Sequence, residues 1–138
     1  MQFLTTDIFL SFLTETNTPR AEAARAVLRV VESGTGKITT SSIVLYELIT
    51  VLHDAAGYNQ PKERVVDTLT SLLGLRGFYV EDKQVWIDAL TLWQRQPIEL
   101  TDAYNSAYAR HHGSSTLSPT AKHASPRPGA STIERSEP

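Results

Sequence analysis

Acidic residues from distant parts of the chain are the strongest candidates for chemistry. Glu47 lies in the otherwise apolar run 43–52, where a carboxylate is unfavourable unless it is paired, protonated or bound to a cation. Asp7 follows the apolar opening of the chain, and Asp102 begins a segment with helical spacing. We expect these side chains to converge at one edge of a sheet, with Glu99 close enough to join them. Such oxygen ligands suit Mg²⁺ or Mn²⁺, which can hold a phosphodiester and activate water for in-line attack.

Each of these acids also has a purely structural interpretation. Glu47 can sit at the edge of its helix, where it reaches water or an arginine. Asp102 can be a helix-start acid favoured by the helix dipole, and Asp7 can be a loop or cap residue at the end of the first strand. The pattern alone leaves both interpretations open for each residue.

The other common catalytic motifs are absent from the sequence. There is no cysteine, which excludes disulfide scaffolds, thiolate zinc sites and thiol nucleophiles. The four histidines lack metal-ligand spacing, and the pair His111 and His112 is best interpreted as a solvated helix end. Neither a Gly-x-Ser-x-Gly elbow nor a phosphate-binding Gly-rich loop occurs. A carboxylate cluster therefore remains the leading candidate.

Hydrophobic periodicity predicts short strands that alternate with helices. A buried strand is expected over 2–6, followed after Asp7 by a helical turn with the apolar residues 8–10 and 12–13, and further strands are expected at 37–40 and 78–80. Helices are expected over 21–31, 43–56, 61–73, from about 82 through 93, and 101–112, with Ser41 or Ser42 capping the second of these. This order predicts an α/β domain with a mostly parallel sheet, in which binding sites form beyond the carboxyl ends of the strands.

Composition narrows the class of protein further. The 138 residues, 41% of them hydrophobic, can bury a core of their own, and the net charge of −2 gives no evidence for a nucleic-acid surface beyond a local patch. No run approaches the roughly 18–20 apolar residues of a membrane span. The opening residues lack the features of a signal peptide, so we expect an unprocessed, soluble protein in a reducing cytoplasm.

Three segments carry a family resemblance: LTTDIFL at 4–10, TSSIVLYEL at 40–48 and PIELTDA at 97–103. Over about 4–113 the chain resembles the PIN-domain family, and more narrowly its VapC-type ribonuclease toxins of toxin–antitoxin systems. The resemblance implies a PIN-like three-layer sandwich, with a mostly parallel central sheet flanked by helices. It also implies RNA cleavage with Mg²⁺ or Mn²⁺ held by clustered acids, a homodimer, and inhibition by a cognate antitoxin protein.

The residues of the expected site follow from this resemblance. Glu47 and Asp102 match the family's second and third acidic positions and are the catalytic candidates. The implied metal ligands are these two residues together with Asp7 and Glu99.

Two departures from the family pattern remove carboxylates. Thr5 stands at the leading Asp position, with Asp7 at the Asn position that follows, and Ala121 stands at the expected last Asp. On an extended strand, Thr5 and Asp7 would face the same side about 6.6 Å apart. Fewer anionic ligands predict weaker Mg²⁺ binding. The alternative hypothesis is a catalytically silent PIN-like module that binds an antitoxin or another protein partner.

The composition changes after Gly113 to a segment rich in Ser, Thr and Pro. We expect a PIN-like domain over 1–113 and a degenerate or irregular C-terminal segment of the same domain over 114–138. Either a short strand forms at 115–117 or the segment is partly disordered.

Overall fold

The computed structural model describes residues 1–114 of the chain. In this part of the chain, six helices and three strands form a mixed α/β arrangement, as predicted. In chain order, the elements are β1 (Gln2–Phe3), α1 (Thr6–Thr14), α2 (Pro19–Glu32), β2 (Ile38–Thr40), α3 (Ser42–His53), α4 (Lys62–Leu73), β3 (Phe78–Val80), α5 (Lys83–Arg95) and α6 (Leu100–His111).

Local capping explains why the predicted helices begin where they do. The Thr18 hydroxyl accepts a hydrogen bond from the Ala21 amide at 3.0 Å, and Pro19 occupies the first turn of α2. The Ser41 hydroxyl accepts from the Val44 amide at 3.2 Å and caps α3. Of the two serines proposed as the cap of this helix, the structure selects Ser41.

The sheet is parallel throughout the described residues, with strand order β1-β2-β3. Ile38 and Phe78 are register partners on one face, and both are fully buried. Helix α1 packs on this face through Phe9, whose ring centroid lies 5.9 Å from that of Phe78. The core of this part of the molecule therefore lies between the sheet and the helices that follow β1 and β2.

The first strand differs from its prediction. It contains only Gln2 and Phe3, both exposed, with Phe3 54% accessible. The chain turns into α1 at once because the Thr5 carbonyl accepts hydrogen bonds from the amides of Ile8 and Phe9. The prediction of a buried strand reaching residue 6 is therefore wrong. The extended geometry assumed for 5–7 is also wrong, since Asp7 lies in the first turn of a helix.

The two edge strands of the sheet differ in whether their outward main-chain groups have hydrogen-bond partners. At the β3 edge, the Phe78 amide donates to the Leu75 carbonyl at 3.1 Å, and the Lys83 amino group donates to the Phe78 carbonyl. Burial lowers the pKa of Lys83. At the β1 edge, the register points the main-chain groups of Phe3 away from β2, and no residue among 1–114 pairs with them.

The packing divides into two compact units, 1–83 and 84 onward. The first unit contains the sheet and α1 to α4. In the described part of the second unit, α5 and α6 pack through Val85, Ala89 and Ala107, with Tyr104 against this cluster. The rings of Trp86 and Tyr104 lie 4.5 Å apart between centroids. Each unit thus has an apolar cluster of its own.

Some predictions concern residues beyond 114. The expected strand at 115–117 and the Ala121 position lie outside the described residues. No helix within residues 1–114 combines the length and the apolar character needed to cross a membrane.

Candidate functional site

Glu47 lies on the exposed side of α3. Leu45 and Leu48 are buried in the core, whereas Ile43, four residues before Glu47, is 79% exposed, and Tyr46 is also exposed. Residues four apart share a helix face, so Glu47 belongs to this outer face and is itself exposed. Of the two interpretations of this residue, the exposed helix edge is the one observed. The free-energy penalty of a buried carboxylate does not arise.

A single contact joins two of the segments singled out in the sequence. The Thr6 hydroxyl donates to Glu47 Oε1 at 2.5 Å, across 41 residues of chain. Thr6 itself is only 8% exposed. Nearby, the Thr40 hydroxyl at the end of β2 donates to the Leu4 carbonyl just after β1, at 2.8 Å. Both contacts lie beyond the carboxyl ends of neighbouring parallel strands, which is where α/β sheets bind ligands.

Asp7 adds a second carboxylate beside this contact. It follows Thr6 directly, lies in the first turn of α1 and is exposed. A negative charge at this position is stabilised by the helix dipole. The first unit therefore offers two exposed carboxylates, Asp7 in the first turn of α1 and Glu47 within α3.

Glu99 and Asp102 lie together at the start of α6 in the second unit. Glu99 is the N-cap residue, and its carbonyl accepts from the Ala103 amide at 3.0 Å. Asp102 is in the first turn, and both acidic side chains are exposed while Leu100 and Ala103 are buried. The start of α6 agrees with the predicted helix, and the pair presents two carboxylates on one helix end.

The donor set fits a hard divalent cation only in part. Carboxylate and hydroxyl oxygens are suitable ligands for Mg²⁺ or Mn²⁺. Among residues 1–114, however, no three or more His, Asp or Glu side chains are grouped in a way that would hold a metal ion, so the predicted convergence of Asp7, Glu47, Glu99 and Asp102 into one metal-holding cluster is not observed. Magnesium is often bound through only one or two carboxylates together with waters and substrate phosphates. Each unit therefore supplies a partial ligand set.

Two side chains that sequence analysis missed take part in these contacts. Thr6 is uncharged and matches none of the acidic positions, so charge does not identify it, although a hydroxyl next to Asp7 at a strand-to-helix junction is a usable signal. The second is Asp88 of α5, whose Oδ2 accepts from His111 Nε2 at 2.6 Å. This hydrogen bond holds the pKa of Asp88 below its ordinary value. His111 is exposed in the last turn of α6, in agreement with its interpretation as a solvated helix end, and the structure adds that it is paired with Asp88.

A groove of the first unit lies away from these carboxylates. It encloses about 450 Å³ between α1, α2 and α4, and neither Asp7 nor Glu47 lines it. Its lining is mostly apolar, with charged side chains among it: Phe12, Leu13, Arg25, Leu28, Arg29, Glu32, Thr68, Ser71, Leu72 and Leu75. A surface of this composition suits contact with another protein better than contact with phosphate.

Comparison with known proteins identifies the family. The PIN domain family model matches residues 3–119, which is most of the chain. Among curated proteins, none matches this sequence. PIN domains are generally nucleases that typically use divalent metal ions, and the family is generally related to nucleic acids. The matched range contains the Thr6–Glu47 contact and the start of α6, and the chain therefore belongs to the PIN-domain family.

Proposed function

We propose that this protein is a metal-dependent endoribonuclease of the VapC type, acting in the cytoplasm on RNA phosphodiester bonds. Glu47 and Asp102 are the catalytic carboxylates, and Asp7 and Glu99 complete the ligands for Mg²⁺ or Mn²⁺. When bound, such an ion polarises a phosphoryl oxygen and makes water a better nucleophile at neutral pH. The observation that carries the proposal is the Thr6–Glu47 hydrogen bond, because it joins two motif segments at the ligand-binding end of the sheet.

The charge of Glu47 supports this assignment. Among residues 1–114, Glu47 forms no ion pair, and its hydrogen-bond donor is a neutral hydroxyl. Asp7 lies one residue from that donor and is likewise exposed. Within this part of the chain, neither carboxylate is paired with a cationic side chain. Glu99 and Asp102 of α6 are the further proposed ligands of this ion.

The proposal includes macromolecular partners. RNA is the substrate, a cognate antitoxin protein is the inhibitor, and the active form is a homodimer. Because the net charge is only −2, the attraction for phosphate is assigned to a bound cation or to a local basic patch rather than to the chain as a whole.

An RNA-cleavage assay tests the activity directly. Cleavage of a mixed RNA pool should occur with millimolar Mg²⁺ or Mn²⁺, stop on addition of EDTA and resume when excess Mn²⁺ is restored. Each step uses the same protein sample, which controls for contaminating metal-independent ribonucleases. Cleavage that continues unchanged in EDTA would contradict the metal requirement.

A second candidate function is a catalytically silent PIN-like module that binds an antitoxin or another protein. The apolar groove between α1, α2 and α4 favours it, and so does the partial ligand set of each unit. Metal-induced thermal stabilisation separates the two functions, because a ligand of the folded state raises the melting temperature by mass action. At ten times Kd the gain is about 1.4 kcal/mol. A shift with Mn²⁺ that disappears in Asp102→Asn supports the nuclease, whereas no shift in the wild type supports the silent module.

A further inference from the structure

We draw no further inference here: the strongest candidate, the largely apolar groove between α1, α2 and α4, already belongs to the protein-binding function considered above, and nothing among residues 1–114 shows what covers it.

Discussion

Two carboxylates in different units of this molecule accept short hydrogen bonds from side chains, and the two donors differ in charge. Glu47 in the first unit accepts from the neutral hydroxyl of Thr6 at 2.5 Å. Asp88 in the second unit accepts from the imidazole of His111 at 2.6 Å, a group that can itself carry a positive charge. The donor–acceptor distances are similar, but only the Asp88 pair has a donor that can bring a positive charge next to the carboxylate.

This difference separates a carboxylate with a neutral donor from one whose donor becomes a counterion when it is protonated. His111 lowers the pKa of Asp88, and Arg110 contributes in the same direction. His111 and Arg110 both belong to α6, so these two contributions to the lowered pKa reach Asp88 of α5 from a neighbouring helix of the same unit. Glu47 has no such counterion among residues 1–114. A short hydrogen bond to a carboxylate therefore does not identify its role, whereas the charge of the donor does.

The largest expected effect comes from neutralising Glu47. Glu47→Gln should reduce RNA cleavage by more than the roughly 10- to 100-fold typical for loss of a supporting residue, because it removes a proposed ligand. It should also abolish the rise in melting temperature on addition of Mn²⁺. Asp88→Asn should leave both properties unchanged. Cleavage rates and thermal melts with and without Mn²⁺ measure these differences.

The control for this experiment is Glu63→Gln, which removes the same charge from an exposed position in the first turn of α4. An equal loss of cleavage in Glu63→Gln would show that net charge, and not position, is responsible. A full Mn²⁺ response in Glu47→Gln would contradict the contrast between the two carboxylates.

A smaller effect is expected when the donor to Asp88 is changed. His111→Gln keeps a hydrogen-bonding side chain and removes the possible positive charge. The side chains of the pair are 32% and 36% exposed, and such ion pairs contribute at most about 1 kcal/mol. The free energy of unfolding from urea titration should therefore fall by about 1 kcal/mol or less. A loss several times larger would mean that His111 has a packing role beyond the pair.

Ionic strength should affect the stability contributions of the two hydrogen bonds differently. At an ionic strength of about 1 M the screening length falls to roughly 3 Å, which weakens interactions between exposed charges. The difference in stability between the wild type and His111→Gln should shrink in 1 M NaCl. The difference between the wild type and Thr6→Val should persist, because its donor is neutral and buried. Equal salt sensitivity of the two differences would contradict the assigned charges.

The smallest expected effect is the pH dependence of the Asp88 pair. Because the folded pKa of Asp88 lies below the ordinary value of 3.8, its contribution to stability is complete above that value. It is lost as pH falls through the lower pKa of the folded state. Asp88→Asn should therefore be less stable than the wild type near pH 5, and this difference should decrease below pH 3.8. Urea titrations at several pH values measure it, and a difference that grows toward low pH would reverse the inferred direction.

The sequence predicted the helices well because their start signals are local. Ser41 and the Thr18–Pro19 pair act within a few residues of the helices they begin. The β2 and β3 strands were also predictable, since their residues are β-prone and Ile38 and Phe78 are buried. In contrast, β1 is short because the Thr5 carbonyl accepts hydrogen bonds from the amides of Ile8 and Phe9, which begin α1. A preference for extended structure in 2–6 does not reveal these hydrogen bonds.

The candidate site was less predictable than the elements that carry it. An apolar sequence around Glu47 suggested burial, but Ile43 and Tyr46 are exposed on the same side of the helix, and exposed apolar residues are common in folded proteins. The contact of Thr6 with Glu47 spans 41 residues, so it depends on the register of the sheet. In contrast, the position of Glu99 and Asp102 at the same helix end follows from their spacing in the sequence.

Lys83 has a consequence for how the sheet can be extended. Its amino group and the Leu75 carbonyl together satisfy the outward-facing main-chain groups of Phe78, so this side of β3 offers a poor template for another strand. The outward groups of Phe3 have no such protection among residues 1–114. Within residues 1–114, the outward main-chain groups of Phe3 are therefore more open to pairing with another strand than those of Phe78. Loss of the Lys83 amino group would leave the Phe78 carbonyl without this donor. The β3 edge would then be more open to pairing with a strand of another molecule.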